Sequence, residues 1–427
     1  MVNVPHWPTI PIWQIPRKVD LEVSLKLLNE LGNPQNKIPP TIHIAGTNGK
    51  GSTLAMLKSI FIQAGYKVHS YTSPHLLEFN ERIRLADTPI TDSHLYSILD
   101  RVKEAAEKIN VEPSFFEGTT AAAFLAFSES KADILLLETG LGGRLDCTNV
   151  ITNPLLTIIT PISYDHMEYL GTDLMHKAFE KAGIIKQNTP CVIGPQADDV
   201  YNLLFNKCDE MNAPSFCYEY DFYAEKINNG FQYLSQKFNI DLPLPSLKGD
   251  HQIQNAASVV AAIMLLNDKF KITNPQIAGG LLAASWPGRL QLVDAEKTKK
   301  LAGDNIEIYL DGAHNAAGAL CLSNWIKDNL TGNVYLVIGM TRNRDVATFC
   351  SFFQDCTHGG AAVTVESEPS SYSASVLAAK AQQSNMILDE TESLTKAIHN
   401  LGTLNNKEPA TIIVTGSLFL VSDFLKL

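Results

Sequence analysis

The residues best suited to chemistry form one short segment near the start of the chain. Residues 46–53 read GTNGKGST and combine glycines with a lysine and hydroxyl side chains. Glycines let backbone N–H groups approach an anion, and the lysine can bridge the β- and γ-phosphates of a nucleotide. A serine hydroxyl can bind the accompanying Mg²⁺. The segment predicts a phosphate-binding loop made of Gly46, Thr47, Asn48, Gly49, Lys50, Gly51, Ser52 and Thr53.

The flanking sequence supports this prediction. Residues 41–45 read TIHIA, typical of a buried strand, and Leu54–Ala64 has a helical pattern. A helix N-terminus that follows a strand favours anion binding. The spacing differs from the common GxxxxGK[ST] form, because Gly46 lies three residues before Gly49 and Gly51 separates Lys50 from Ser52. A simple glycine-rich turn is the alternative.

A carboxylate candidate follows the next strand-like run. Glu138 ends the run ILLLE, and ligands bind open α/β sheets at the carboxyl ends of their strands. Glu138 could therefore hold Mg²⁺ together with Ser52. The alternative is an ordinary strand-end carboxylate that faces water.

Bulk properties limit the class of protein. The chain has 427 residues and a formal net charge of −11, which disfavours nucleic acid as a partner. Seven scattered cysteines without a CxxC pair indicate free thiols in a reducing compartment. We recognise no signal peptide and no apolar run of membrane-spanning length. We expect a monomeric cytoplasmic protein that binds small molecules and uses neither nucleic acid nor a membrane as partner.

Two sets of apolar runs alternate with helical patterns, which predicts an α/β fold with parallel sheets. The first set is 41–45, 134–137, 155–159 and 190–193, and the second is 306–310, 334–338, 362–365 and 411–414. Helices are expected between them, including 120–128 and 277–284. Trp286–Leu290 interrupts the pattern and marks the domain junction. Residues 202–245 are less regular and predict a β-rich or looping insertion.

Further segments carry a resemblance to a known family. GTNGKGS is similar to the variant phosphate loop of the Mur ligase superfamily. Other segments resemble the folylpolyglutamate synthase/dihydrofolate synthase family, and they occur in that family's order over nearly the whole chain. They are TSPHL at 72–76, GLGGRLD at 140–146, DH at 165–166 with LG at 170–171, EKAGI at 180–184, WPGRL at 286–290 and DGAHN at 311–315.

The resemblance implies a reaction and a domain plan. ATP, with Mg²⁺, would phosphorylate the carboxylate of dihydropteroate or the γ-carboxylate of a folate, and the amine of L-glutamate would displace phosphate. An ATPase domain with a folate pocket would occupy residues 1–289. A smaller Rossmann-like ligase domain would occupy 290–427, and ATP would be held by both.

Roles for individual residues also follow from the resemblance. His166 matches a ligand of a second metal, although imidazole is an unusual Mg²⁺ ligand. Lys181 matches a lysine carried as a carbamate, which would supply anionic oxygens; a surface lysine paired with Glu180 or Glu168 is the alternative. Catalytic roles are therefore implied for Lys50, Lys181, His166 and Arg289.

The same resemblance implies contacts with nucleotide and folate. Arg289, as a planar cation, would reach the γ-phosphate. Asp311 would bind the ribose, His314 would lie near the nucleotide and Asn255 would contact adenine; turn formation by these polar residues is the alternative. The segment 72–84 matches a mobile loop at the folate pocket. Substrate contacts are expected from Ser73, Pro74, His75, Phe116, Thr119 and Asp146, with Phe115 beside them, although aromatic residues at this spacing are also typical of a core. Cys147 stands where the family pattern has alanine.

Three other functions remain open at this level. A cell-wall Mur ligase would need a UDP-binding domain, whereas about 45 residues precede the phosphate loop. A phosphate-loop kinase or GTPase leaves WPGRL and DGAHN unexplained and would need a guanine-reading NKxD segment. A nucleotide-binding scaffold would bind ATP without releasing phosphate when glutamate and a pteroate are added.

Overall fold

The computed structural model describes residues 5–8, 20–164, 173–404 and 408–427. The chain divides into two compact units, each with its own parallel-rich sheet. The first contains the described residues up to Ser163, 173–246 and Gln252–Ser285. The second contains Tyr164, Leu247–His251 and the described residues from Trp286 onward.

The main sheet of the first unit is built from eight strands. They are β1 Thr41–Ala45, β2 Val68–Tyr71, β3 Ile83–Leu85, β4 Thr88–Pro89, β5 Ile134–Glu138, β6 Leu156–Ile159, β7 Cys191–Ile193 and β8 Ser215–Cys217. Their order is β4-β3-β2-β5-β1-β6-β7-β8, with the β2–β3 and β3–β4 pairs antiparallel and the others parallel. Every residue of β1 and of β5 is buried, which requires cover on both sheet faces and explains their continuous apolar runs.

Helices cover this sheet. They are α1 Glu22–Glu30, α2 Lys50–Gln63, α3 Asp92–Lys108, α4 Phe115–Glu129, α5 Leu174–Ala182, α6 Asp198–Glu210, α7 Asp250–Leu265 and α8 Asn274–Ala283. One apolar cluster joins residues of α1, α3 and α4 to β5, and another joins α5 and α6 to β6 and β7. Apolar packing therefore supports β5 and β6, two of the strands that lead into the candidate site.

Several predicted boundaries differ from the structure in this unit; the helix predicted at 120–128, for example, is α4 and begins at Phe115. Helix α2 begins at Lys50, not Leu54, because Gly49 takes a left-handed conformation (φ 86°) and caps the helix before apolar periodicity begins. The proposed insertion at 202–245 is helical through Glu210 in α6. Its β-rich part is a separate antiparallel sheet of β9 Phe222–Ile227, β10 Gly230–Ser235 and β11 Asn239–Leu242.

The second unit also has a parallel-rich sheet. Its strands are β12 Gln291–Leu292, β13 Ile306–Leu310, β14 Asn333–Ile338, β15 Gly360–Ala362, β16 Leu388–Glu390 and β17 Ala410–Thr415. Their order is β12-β13-β17-β14-β15-β16, and only β12 pairs antiparallel. The strand predicted at 362–365 lies earlier, because its partner β14 ends at Ile338 opposite Ala362.

Helices surround this second sheet too. They are α9 Ala295–Ala302, α10 Ala316–Asn329, α11 Val346–Ser351, α12 Ala374–Gln382, α13 Leu394–Leu404 and α14 Leu418–Leu425. The predicted α/β class, with a parallel-rich first sheet and a smaller Rossmann-like unit after it, is confirmed. Within the described ranges, no helix combines the length and apolar character needed to cross a lipid bilayer. All seven cysteines are free thiols.

Candidate active site

The site forms where strand β1 ends. β1 lies between β5 and β6, so the segments that follow these three strands meet at one edge of the sheet. Backbone bonds hold them together: Thr139 N–H donates to Ile44 O (3.0 Å), and Thr160 N–H donates to Ala45 O (2.8 Å). The predicted phosphate loop and Glu138 are thereby brought to the same place.

Two glycines of this loop are required by close packing. A Cβ on Gly46, at φ 148°, would lie 1.9 Å from Thr160 Oγ1 and 2.8 Å from its carbonyl oxygen. A Cβ on Gly49, at φ 86°, would lie 2.7 Å from Asn255 Oδ1. The backbone at Gly46 and Gly49 therefore lies in a narrow passage that leaves no room for a side chain. A loop that presents its N–H groups to an anion needs such close backbone packing.

Thr47 and Asn48 anchor the loop to the segment after β6. The Thr47 hydroxyl donates to Ser163 O (3.2 Å) and accepts from Ser163 N–H (3.1 Å). Asn48 Nδ2 donates to Ser163 Oγ (3.1 Å). Both backbone N–H groups donate to Pro161 O, at 2.9 and 3.2 Å. In the structure these two residues fix the loop through their own side chains and backbone.

Two lysines converge on one carbonyl of the loop. Lys50 Nζ donates to Gly46 O at 3.2 Å, and Lys181 Nζ, from the end of α5, donates to the same oxygen at 2.9 Å. Glu138 Oε1 lies 3.8 Å from Lys50 Nζ. The Lys50 cation, the Lys181 amine and the Glu138 carboxylate, from segments far apart in sequence, thus surround the loop, and Lys50 is suited to binding phosphate and neutralising its charge.

The buried state of Lys181 and Glu138 decides two alternatives left open by the sequence. Lys181 is 5% exposed and Glu138 is 4% exposed, so neither is a surface side chain. Glu180, one of the two suggested partners of Lys181, instead binds Arg144, with Oε1 2.8 Å from Nη2. The other, Glu168, lies outside the described residues. Burial, together with the positive charges of Lys50 and Lys177, lowers the pKa of Lys181 to about 7, against the opposing effect of Asp146.

Helix α7 supports the start of α2 through two amides. Gln252 Nε2 donates to Ser52 Oγ (3.2 Å), and Asn255 Nδ2 donates to Gln252 Oε1 (3.0 Å). The structure therefore places Asn255 against Gly49 of the phosphate loop. Gln252 was not among the predicted site residues, although it stands in the same HQIQN segment; it directs the Ser52 hydroxyl, the predicted Mg²⁺ ligand.

The donor set fits a hard cation held with a nucleotide. Ser52 and Glu138 offer buried oxygens beside the glycine passage. Within the described ranges, no group of three or more His, Cys, Asp and Glu side chains could hold a metal by itself. His166, the predicted ligand of a second metal, lies outside the described residues. Among the groups that the structure describes, a modified Lys181 could occupy a further position around a cation, beside phosphate and water.

The loop 140–146, which follows β5, is organised by Asp146. Its Oδ2 accepts from the N–H groups of Gly140 (2.9 Å) and Leu141 (2.8 Å), and its Oδ1 accepts from Thr148 N–H (3.0 Å) and Thr148 Oγ1–H (2.5 Å). Asp146 is 4% exposed, and burial raises its pKa against these four donors. It holds the loop in this structure, and its contact with a pterin stays a prediction.

This loop also contacts the lysine and the predicted folate pocket. A Cβ on Gly143 would lie 2.8 Å from Glu180 O and 3.0 Å from Lys181 Cα, so loop and helix α5 are in direct backbone contact. A Cβ on Gly140 would lie 2.3 Å from the ring of Phe116. One loop therefore touches both the residue proposed to carry the carbamate and an aromatic side chain of the pocket.

The other predicted pocket residues lie near the start of α4. Phe116 is half-buried and Thr119, which is fully buried, donates from Oγ1 to Phe115 O (2.7 Å). In the predicted loop, the Ser73–Pro74 peptide bond is cis and His75 Nδ1 accepts from Arg82 Nε (2.9 Å).

Arg82 is the cation that sequence reasoning missed in this region. Its guanidinium lies 5.3 Å from the ring centre of Phe79 and 5.6 Å from that of Phe115. Burial lowers its pKa, while Tyr71, Glu138 and Glu81 act in the opposite direction. A half-buried guanidinium among aromatic rings is suited to an anionic or π-rich ligand. The residue stands within the family-like segment 72–84, which is the signal that could have found it.

The remaining predicted nucleotide contacts belong to the second unit. Asp311 follows β13, and its carboxylate accepts from Leu290 N–H (2.9 Å) and Ala313 N–H (2.8 Å). The segments WPGRL and DGAHN are thus joined directly. His314 Nδ1 lies 2.7 Å from Gly312 O, and Arg289 Nη1 donates to Gly288 O (3.3 Å). Backbone hydrogen bonds within turns therefore account for part of the contacts made by Asp311 and His314, as the alternative of turn formation predicts.

His251 belongs to the same set but was not predicted. Burial lowers its pKa, Asp311 acts to raise it, and Arg289 acts to lower it. These opposing effects place its imidazole within electrostatic reach of both predicted nucleotide contacts. Like Gln252, it stands in the HQIQN segment, in which the resemblance implies a nucleotide contact for Asn255.

Comparisons with known proteins agree with this geometry. A family model described as Mur ligase middle domain matches residues 44–263, and one described as dihydrofolate synthetase, C-terminal domain, matches 291–427. The chain is 32% identical to dihydrofolate synthase/folylpolyglutamate synthase of Bacillus subtilis, over 94% of this chain and 93% of that one. It is 35% identical to a probable dihydrofolate synthetase of Schizosaccharomyces pombe, over 78% of each chain.

Solved structures give the same result. FolC of E. coli in complex with DHPP and ADP is similar, with a TM-score of 0.85 and 27% identity over 97% of this chain and 94% of that one. Folylpolyglutamate synthase of Thermotoga maritima is 31% identical, with a TM-score of 0.79 over 96% and 93%. The shared segments, the matching models and the full-length relatives agree: the chain belongs to the folylpolyglutamate synthase/dihydrofolate synthase family of Mur-type ligases.

Proposed function

We propose that this chain is an ATP- and Mg²⁺-dependent ligase that joins L-glutamate to dihydropteroate, to the γ-carboxylate of a folate, or to both. The substrate carboxylate attacks the γ-phosphorus of ATP, and ADP leaves. The glutamate amine then attacks the acyl phosphate carbon, phosphate leaves and the amine loses a proton as the amide forms. The observation that carries the proposal is the convergence of Lys50 and Lys181 on Gly46 O beside Glu138.

Within this arrangement, Lys50 meets part of the main electrostatic demand of the reaction. A carboxylate and ATP are both anions, so bringing them together needs cations that are already in place. Lys50 is held at the first turn of α2, where the helix N-terminus adds a partial positive charge. Mg²⁺, when bound, would neutralise phosphate charge, and Ser52 with Glu138 would hold it. Related structures contain AMPPNP, Mn and L-glutamate, which supports the same ligands here.

We also propose that Lys181 acts as a carbamate. A neutral amine adds to CO₂ and releases one proton, which leaves an anionic group with two oxygens. A pKa of about 7 leaves roughly half of the Lys181 side chains neutral at neutral pH. In protein labelled with ¹³C-bicarbonate, we expect a carbamate NMR signal that is absent in Lys181→Met. The same spectrum from both proteins would contradict the assignment.

The proposal assigns the domains and the surroundings as well. Residues 1–289 would bind ATP and the folate, and 290–427 would form the glutamate-ligase domain. Arg289, Asp311, His314 and Asn255 would act on the nucleotide. The enzyme would act on small molecules as a cytoplasmic monomer, without nucleic acid or membrane. Analytical ultracentrifugation tests the oligomeric state. We expect the sedimentation coefficient of a monomer both at the enzyme concentration of the activity assay and at ten times that concentration.

The decisive experiment measures ADP release with dihydropteroate and with tetrahydrofolate, each tested separately with glutamate. We expect stoichiometric ADP, phosphate and a glutamyl product with at least one of them. AMP and pyrophosphate as products would contradict the acyl phosphate. ATP binding without turnover would instead support a scaffold. Lys58→Ala is the matched control for Lys50→Ala, because Lys58 lies on the same helix but pairs with Asp87 (2.8 Å).

A further inference from the structure

A fully buried histidine stands in the middle of the central strand. His43 is 0% exposed and lies in β1 between Leu137 of β5 and Thr157 of β6. β1 is the strand that leads directly into the phosphate loop. A buried polar side chain in such a strand is costly unless it is hydrogen-bonded, so its partner identifies its role.

That partner is Thr148, just beyond the loop 140–146. His43 Nε2 lies 2.9 Å from Thr148 Oγ1, which is 2.5 Å from Asp146 Oδ1. A hydroxyl has one proton, and Thr148 donates it to the carboxylate, so its oxygen accepts from His43 Nε2–H. Among the described residues, His43 Nδ1 has no hydrogen-bond partner, as expected of the unprotonated nitrogen in this tautomer.

The imidazole is neutral at physiological pH. Burial, with a smaller effect from the positive charge of Lys186, lowers the pKa of His43 to about 3. The chain of bonds therefore runs in one direction, from His43 to Thr148 to Asp146. Asp146 in turn holds the N–H groups of Gly140 and Leu141.

This chain joins two parts of the candidate site. One end is in β1, next to the phosphate loop, and the other end is the backbone of loop 140–146. That loop touches the Phe116 ring at Gly140 and the Lys181 backbone at Gly143. Its position therefore sets one wall of the predicted folate pocket relative to Lys181.

We infer that His43 is a positioning residue for the ligation: through Thr148 it fixes the Asp146 carboxylate, and with it the loop that faces the pteroate or folate substrate. The inference rests on the proposed function and adds a residue to it. His43 does not touch the reacting atoms. Its effect should appear in binding of the pteroate or folate, while the nucleotide contacts made by the phosphate loop stay in place.

The test compares two substitutions that differ in one hydrogen bond. In His43→Gln, the side-chain Nε2 lies as many bonds from the backbone as the histidine Nε2 and can still donate to Thr148. His43→Leu fills similar space without a donor. We expect His43→Leu to raise KM for the pteroate or folate about tenfold, with KM for ATP within about twofold. His43→Gln should stay within about threefold of the wild type.

Two further measurements distinguish a positioning role of His43 from poor folding of His43→Leu. Thr148→Val removes the next link, and in a double-mutant cycle its effect on substrate KM should be largely non-additive with that of His43→Leu. Amide hydrogen exchange of the peptide containing 140–146 should be faster in His43→Leu than in His43→Gln. This readout needs no turnover.

The outcomes separate the inference from the function on which it rests. A wild-type protein that forms no glutamyl product defeats the proposed function, while the exchange of loop 140–146 still tests the link to His43. If the wild type is active but His43→Leu and His43→Gln have the same KM for the pteroate or folate, the inference is overturned. A loss of thermal stability in His43→Leu without a change in substrate KM also overturns it, because it assigns His43 a structural role alone.

Discussion

Replacing Lys181 with methionine should stabilise the folded protein while it abolishes ligation. The folded lysine has a pKa lowered from 10.5 to about 7, and this difference of about 3.5 pH units corresponds to about 5 kcal/mol between its protonation states. The hydrogen bond from Lys181 Nζ to Gly46 O offsets about 1 kcal/mol of the free-energy cost of burying the charged lysine. Methionine has similar length and no charge, so it removes both effects.

The pH dependence gives the sign of the expected effect. The folded state releases the Lys181 proton near pH 7, whereas the unfolded state keeps it until about pH 10.5. Between these values the unfolded state binds more protons, so wild-type stability rises with pH. Below pH 7 both states are protonated and the penalty is fully present. At pH 6.5 we expect Lys181→Met to be more stable than the wild type by about 2 to 4 kcal/mol.

The assay is urea unfolding of both proteins from pH 6.5 to 9.5 in bicarbonate-free buffer. The advantage of the variant should shrink by about 1.4 kcal/mol per pH unit above pH 7.5. Lys58→Met is the control, since it removes an ammonium paired with Asp87 and should not stabilise the protein. A variant that is less stable at every pH, with a difference that does not change with pH, would refute the reasoning.

A small carboxylic acid added to Lys181→Ala should restore part of the ligase rate, and Lys181→Arg should remain inactive.

Three further changes test the nucleotide site. Lys50→Ala should lower kcat by at least about 100-fold in the ADP-release assay, because it removes a preorganised cation; near-normal turnover, like that expected of Lys58→Ala, would exclude Lys50 from the mechanism. Gly46→Ala should cost about 3 kcal/mol or more in thermal unfolding, since its Cβ would overlap Thr160; an unchanged Tm would show that the loop can move aside. Arg289→Ala should raise KM for ATP at least about tenfold with an unchanged circular dichroism spectrum, and unaltered ATP kinetics would remove it from the nucleotide site.

Local sequence patterns were sufficient for much of the fold. β1 and β13 lie at the predicted residues 41–45 and 306–310, because strands buried on both faces are continuous apolar runs bounded by turn residues. Boundaries failed where capping or pairing decides them. Gly49 starts α2 before its apolar pattern begins, and β15 ends where β14 stops pairing.

The chemistry of the phosphate loop was also readable from residues 46–53, since glycines, lysine and hydroxyls within eight positions act locally. Only the tertiary structure decided which distant groups join them. The Lys181–Gly46 bond spans 135 positions, Gln252–Ser52 spans 200 and His43–Thr148 spans 105. The strand order creates these contacts, and the burial that comes with them lowers the pKa of Lys181. Neither strand order nor burial is encoded in any single segment, because both depend on how the whole sheet is assembled and covered.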